Sequence, residues 1–162
     1  MKRLAPLIVI LALLGAFGFW WFSPVQVLKR RTETLLQTVT LESGTGKALR
    51  QMGVYSLSAI LADEVELDSP TIAEANGSFP RSEMEAAYSW LCERAKQSRF
   101  ELVKFRSVKS VGQTGHVTFL VKALVELPDR RPADGIYQVT FRWQHGDGGW
   151  QLDRAEWREE KH

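Results

Sequence analysis

Residues 100–158 contain FELVKFRSVK (100–109), HVTFLVKALVEL (116–127), GIYQVTFRWQH (135–145) and WQLDRAEWR (150–158), four stretches in which apolar residues recur at every second position. Period two is the spacing of strands, whose successive side chains point to opposite faces. The connections are short: Gly112-Gln113-Thr114-Gly115, Pro128 to Asp134, and Gly146-Asp147-Gly148-Gly149. Such links join neighbouring strands in antiparallel fashion, so a four-stranded meander is predicted. One face carries Val103, Phe105, Val117, Phe119, Val121, Ala123, Val125, Tyr137, Val139, Phe141 and Trp143, and a face this apolar has to be covered. The other mixes Leu102, Lys104, Arg106, Leu120, Lys122, Leu124, Ile136, Gln138, Thr140 and Arg142. Its leucines exceed what a solvated face needs, and its cations do not suit a core unless paired. Lys104, Arg106, Leu120, Lys122, Leu124 and Arg142 therefore mark an expected dimer or partner face.

The cover for the apolar face comes from upstream. Leu28, Thr32, Leu35, Leu36 and Val39 recur at helical spacing within Val25 to Leu41, and Ser43-Gly44-Thr45-Gly46 breaks that pattern. Leu49, Met52, Gly53, Ser56, Leu57, Ile60 and Leu61 mark a second helix with Thr45 as its cap. Val65 and Leu67 among alternating acids predict a short strand ending at Pro70, followed by an Asn76-Gly77 loop. A capping box, Ser82-Glu83-Met84-Glu85, opens a third helix with the stripe Met84, Ala87, Tyr88, Leu91, Cys92 and Ala95, stopping near Ser98. Helices, one strand, another helix and then a meander is an α+β order, with the helices packed on one side of a curved sheet.

The chain opens differently. Leu4 to Phe22 is nineteen residues without a charge, placed after Met1-Lys2-Arg3. As a helix this run would be about 28 Å long, close to the ~30 Å hydrocarbon thickness of a bilayer. A cleaved signal peptide, cut near Ala16-Phe17-Gly18, is the rival reading. Phe19 to Phe22 continue the apolar run past that point, and Trp20 and Trp21 stand where aromatic rings settle among headgroups, so an uncleaved single-pass anchor is expected. A three-residue basic leader favours a cytoplasmic N-terminus and a periplasmic or otherwise extracytoplasmic domain, with Lys29, Arg30 and Arg31 beside anionic headgroups. Five of the 21 Lys and Arg precede Thr32, leaving sixteen against nineteen acids, a net charge of −3 for the domain. That balance argues against a nucleic-acid partner. The expected organisation is an anchor over 1–23, a juxtamembrane helix and linker over 24–44, the domain over 45–159 and a charged tail over 160–162.

The order of elements carries a resemblance, together with Leu61-Ala62-Asp63-Glu64-Val65-Glu66-Leu67-Asp68-Ser69-Pro70, the helix after Ser82, and Phe141-Arg142-Trp143 with Asp147-Gly148-Gly149-Trp150. Over roughly Thr45 to Glu159 the chain resembles the nuclear transport factor 2-like (NTF2-like) superfamily, including its SnoaL-like and ketosteroid-isomerase-like branches. The resemblance implies a cystatin-like cone of three helices on a curved, mainly antiparallel sheet, enclosing a pocket, in a superfamily of enzymes, binding modules and structural domains. Ketosteroid-isomerase-like members place a general-base aspartate where this chain has Ser69, and a protonated aspartate donor where it has Val139. Asp68 is displaced by one, which in a strand reverses its face.

Other chemistry is sparse. His145 shares the apolar face with Trp143, and Asp153 is on the neighbouring strand, so His145, Asp153 and Asp68 are the candidate acid–base residues of a dehydratase-like pair. The histidines lack the i, i+4 or His-x-His spacing that converges on a metal, so neither metal nor cofactor is expected. Cys92, the only cysteine, reads as a small buried hydrophobe. Tyr55, Phe105, Phe119, Phe141 and Trp143 are the expected pocket lining. Two functions are compatible with these residues: a membrane-tethered, noncatalytic module that binds a protein partner or small ligand, with a homodimer through the mixed face, or a SnoaL-like small-molecule lyase, isomerase or hydrolase.

Overall fold

A computed structural model describes residues 5–70, 76–128 and 131–160. Lys2, Arg3 and Leu4 of the expected anchor, and Lys161 and His162 of the expected tail, lie outside those residues. Among the described residues the elements run α1 (Ala5–Trp21), α2 (Pro24–Val39), α3 (Lys47–Ser58), β1 (Leu61–Asp68), β2 (Gly77–Pro80), α4 (Arg81–Arg94), β3 (Gln97–Val111), β4 (Thr114–Glu126), β5 (Ala133–Gly146) and β6 (Gly149–Glu159). The strands form one sheet in the order β2-β1-β6-β5-β4-β3. All neighbours are antiparallel except β1 and β6, which pair in parallel. Strands β3 to β6 are the predicted meander, and β1, which precedes it in the chain, joins its last strand.

The inner face of the sheet is closed by a row of rings. Phe119 lies between Phe105 and Phe141, with centroids 6.3 Å and 5.0 Å away, and Phe141 meets Trp143 at 6.0 Å, all edge to face. This geometry sets the positive ring edges on negative ring faces. Leu28, Leu35 and Leu36 of α2, Leu57 of α3, and Tyr88 and Cys92 of α4 share the same core. The packed unit therefore starts at Pro24, not at Thr45: α2 is a wall of the cone, where a juxtamembrane helix and linker were expected. Its entry is tight, because Leu28 fills the space that a side chain at Gly115 would occupy.

Strand β3 departs from strict alternation. Leu102 pairs with Val121 and Lys104 with Leu120, so Val103 is an extra residue and a second irregularity falls between Phe105 and Ser107. Each such bulge reverses the face of the residues beyond it. Phe100 and Leu102 consequently pack on the core, whereas Val103, assigned to the apolar face by period two, is 54 % exposed. As β3 is an edge strand, these bulges also break the flat run of free backbone groups that would invite another strand.

Two helix readings also change. Pro80 occupies the N-cap of α4 and makes no side-chain capping bond, so the Ser82–Glu85 capping box is not formed; the helix begins too early for Ser82 to cap it. Helix α3 likewise starts after Gly46 without the predicted Thr45 cap. Its expected stripe is split: Leu57, Ile60 and Leu61 are buried, but Leu49 and Met52 are 66 % and 63 % exposed. Arg50 turns inward in their place. Its Nη1 donates to Ala95 O at 2.7 Å and Cys92 O at 3.4 Å, and its Nη2 to Glu42 O at 2.9 Å and Lys96 O at 3.1 Å. A guanidinium is the one side chain with enough forked donors to satisfy carbonyls at a helix end and in two adjoining segments together.

No single helix among the described residues is long and apolar enough to cross a membrane; Ile10–Trp21 and Pro24–Val39 reach that length and composition only as a pair bent by 56°. Helix α1 leaves Leu11, Leu13, Leu14, Phe17 and Phe19 exposed.

Replacing Phe119, which is fully buried among these rings, with alanine is expected to cost about 3–5 kcal/mol of stability, and Val103→Ala less than about 0.5 kcal/mol. Urea unfolding of the two variants measures the difference directly.

Candidate functional site

The residues proposed for chemistry do not meet. His145 is exposed at the end of β5, its ring edge to face with Trp150 at a centroid distance of 5.0 Å. Asp153 lies on the opposite, outer face, where both carboxylate oxygens accept from Arg142 Nε at 3.0 Å. The offset arises between Arg142 and Trp143, where the β5–β6 register shifts and leaves Asp153 without a partner position. Asp68 is also outside, 3.6 Å from Arg154 Nη2. Ser69 is buried, its backbone N–H donating to Asn76 Oδ1, and Val139 is part of the core. No acid–base pair is assembled among these residues.

The expected pocket lining has other duties. Phe119, Phe141 and Trp143 are buried against one another and fill the interior, with Phe105 at the end of the row. Tyr55 faces solvent at 82 % exposure, continuing the exposed row Leu49 and Met52 along α3.

The cations of the outer face are largely paired within the chain. Arg154 reaches Glu66 at 3.1 Å, Arg158 reaches Glu156 at 2.6 Å, and Arg106 bonds Gln138 at 2.6 Å and pairs with Glu160. A shallow hollow of about 200 Å³ lies between His116, Thr140, Arg142, Arg154 and Glu156. Lys104 and Lys122 are exposed, and Leu120 is buried beneath its neighbours. Thus the mixed composition that suggested a partner is in part satisfied by ladders of ion pairs running across the strands.

A larger concavity lies elsewhere: a groove of about 630 Å³ between the end of α2, helix α3 and the start of β3. Gln37, Thr38 and Thr40 form one wall, Leu49, Arg50 and Gly53 another, and Arg99, Phe100 and Glu101 the third. Tyr88 closes the base, its hydroxyl donating to Thr38 O at 2.5 Å. It comes this close because residue 53 is glycine; a Cβ there would collide with the Tyr88 hydroxyl. The groove is not legible in the sequence because it depends on Arg50 turning inward, and only the Ser43 to Gly46 break hints at an opening. Burial, reinforced by the Cys92 thiol, pushes the Tyr88 phenol well above its ordinary value, and burial likewise raises Cys92, leaving a protonated and unreactive thiol. Among the described residues no group of three or more His, Cys, Asp or Glu could hold a metal ion.

Because the folded phenol holds its proton more tightly than the unfolded one, its contribution is complete below the unfolded value of 10.0 and is lost as pH rises through the folded value. Tyr88→Phe should therefore cost about 0.5–1.5 kcal/mol at neutral pH and flatten the alkaline loss of stability above pH ~10, as read by denaturant unfolding across a pH series.

No family model and no curated protein matches the chain. Solved structures do. An NTF2-like protein from Cytophaga hutchinsonii superposes with a TM-score of 0.65 at 16% identity, covering 86% of this chain and 100% of that one. A Streptomyces avermitilis protein, provisionally named a dehydratase of the NTF2-like family, gives 0.61 at 14% identity over 85% and 96%. A Caulobacter vibrioides protein with a cystatin-like fold gives 0.62 at 9% identity over 83% and 87%. With the α+β order, the single inner row of rings and these superpositions, the chain has the NTF2-like, cystatin-like fold.

Proposed function

We propose that this protein is a membrane-tethered, noncatalytic NTF2-like module that presents a binding surface outside the cytoplasm. The observation that carries the reading is a pairing of opposites: an interior filled by Phe119, Phe141 and Trp143, and an apolar helix α1 whose leucines and phenylalanines stay uncovered by the fold. The rings occupy the inner face of the sheet, and the candidate acid–base residues point away from one another. Exposed leucines and phenylalanines around a helix, by contrast, are stable in lipid.

The surface best suited to a protein partner is the 630 Å³ groove with the exposed row Leu49, Met52 and Tyr55 beside it. Methionine and aromatic side chains exposed together are typical of contact surfaces, and the groove is of a size that takes a ligand or a short chain segment. The outer sheet face, with Lys104 and Lys122 uncovered, is a second surface open to another copy of the chain.

Full-length protein should stay with membranes through a carbonate wash, and Leu11→Arg with Leu14→Arg should release it, each arginine opposing insertion by about 2.5–3.5 kcal/mol. Release of the unsubstituted chain would overturn the tether. Alkaline phosphatase fused after His162 should be active, and an inactive fusion would reverse the orientation. A photo-crosslinking residue at position 55 should give discrete adducts in cells, and one at position 103 none; equal behaviour at the two positions counts against the binding surface.

A further inference from the structure

We infer that the hairpin end of the sheet rests on the bilayer as a second point of attachment, through contacts to anionic headgroups and a shallowly inserted Val111. The inference deepens the tether reading and rests on it.

The joint between α1 and α2 is built as a fixed elbow. Arg30 Nη2 donates to Trp21 O at 2.9 Å, nine residues back, and the guanidinium lies 4.4 Å from the centroid of the Trp21 ring. Phe17, Trp20 and Trp21 are in ring contact with one another, so the last turns of α1 are tied together and then to α2. Pro24 at the first turn of α2 and the bond from Val27 N to Ser23 O define the bend. Farther along α2, Leu28 is locked against Gly115. An elbow fixed at both ends transmits the direction of α1 to the sheet.

That elbow places one end of the sheet next to the membrane. A Cβ on Gly149, in the β5–β6 turn, would lie 3.4 Å from Arg31 Nη2, and Gly115 opens β4 beside Leu28. His145 N donates to Gln113 O at 2.8 Å, which ties the two hairpin tips into one edge. Leu28 to Arg31 lie on the second and third turns of α2 after Ser23, about 12 Å along the helix, and with α2 bent by 56° from α1 the tips they touch stand only about 7 Å beyond the end of α1 in the direction of that helix, comparable to a headgroup layer.

The chemistry of that edge fits an anionic lipid surface. Lys29, Arg30, Arg31 and Lys109 have no ion-pair partner among the described residues, as is also true of Lys104 and Lys122 on the outer face, whereas the arginines of that face, Arg106, Arg142, Arg154 and Arg158, all do. Lys29 packs its ammonium 5.6 Å from the Phe105 ring and Asp147 is the acid at the tip. Beside these cations Val111, at the turn closed by Gly112 with φ 58°, is 79 % exposed. A β-branched apolar residue at a hairpin tip, near cations without acidic partners, gains most where apolar and phosphate layers meet.

The test uses the full chain in phosphatidylcholine vesicles with and without phosphatidylglycerol, carrying an environment-sensitive fluorophore at Val111→Cys or Met52→Cys in a Cys92→Ala background. Quenchers placed in the lipid should reach position 111 and not position 52, and more strongly in the anionic vesicles. Lys29→Gln, Arg31→Gln and Lys109→Gln together should return the signal at 111 to its neutral-vesicle level, each cation shifting the docked population roughly five-fold. Protein that inserts but shows equal quenching at 111 and 52, or no response to lipid charge, overturns the docking and leaves the tether standing. Protein that enters neither vesicle overturns both.

Discussion

Packing of the inner sheet face is the constraint on which the rest of the structure depends. Phe105, Phe119, Phe141 and Trp143 come from three neighbouring strands, and their edge-to-face contacts require those strands to keep one register and one direction of curvature. Helix α2 lies over the row on β3 and β4, and α4 packs against α3 and the β1–β2 end of the sheet, so that Leu28, Leu35, Leu36, Tyr88 and Cys92 share one core with the rings. Close packing of this kind leaves little freedom, as an interior at crystal-like density resists even small changes of volume. It also leaves the 630 Å³ groove beside α3 outside the row of rings.

Arg50 is the second organiser. Taking a guanidinium out of water costs several kcal/mol unless its donors are met, and four backbone carbonyls, from the end of α4, from Lys96 just before β3 and from the segment after α2, meet those of Nη1 and Nη2, while Nε is buried without a partner among the described residues. The same contacts join three segments far apart in the chain and set the rotation of α3. Leu49, Met52 and Tyr55 are exposed as a direct consequence. A single buried charge thus closes one end of the core and creates the apolar surface outside it.

Much of this is legible in the sequence because the signals are local. Strands β4, β5 and β6 and their turns come from period two and the intervening glycines, and the helical spacing of Leu28, Thr32, Leu35 and Leu36 foretells the buried side of α2. The failures share one cause. Period two puts Val103 on the wrong face because a bulge is an offset between two strands, invisible in either strand alone. The same assumption of unbroken register brings His145 and Asp153 together, and the shift at Trp143 separates them. Helical spacing misassigns the stripe on α3 because an arginine inside outranks two apolar residues outside only when the carbonyls it needs are delivered by other parts of the chain.

By itself the sequence determined the class of fold, the meander and the uncovered apolar helix at the start, since alternation, turn chemistry and the length of an apolar run are properties of neighbouring residues. Tertiary structure alone decided which face of α3 is buried, that α2 belongs to the cone, where the bulges fall and that the interior is filled. Those outcomes depend on what distant segments supply to Arg50, to Leu28 and to the row of rings, and no local pattern encodes the supply.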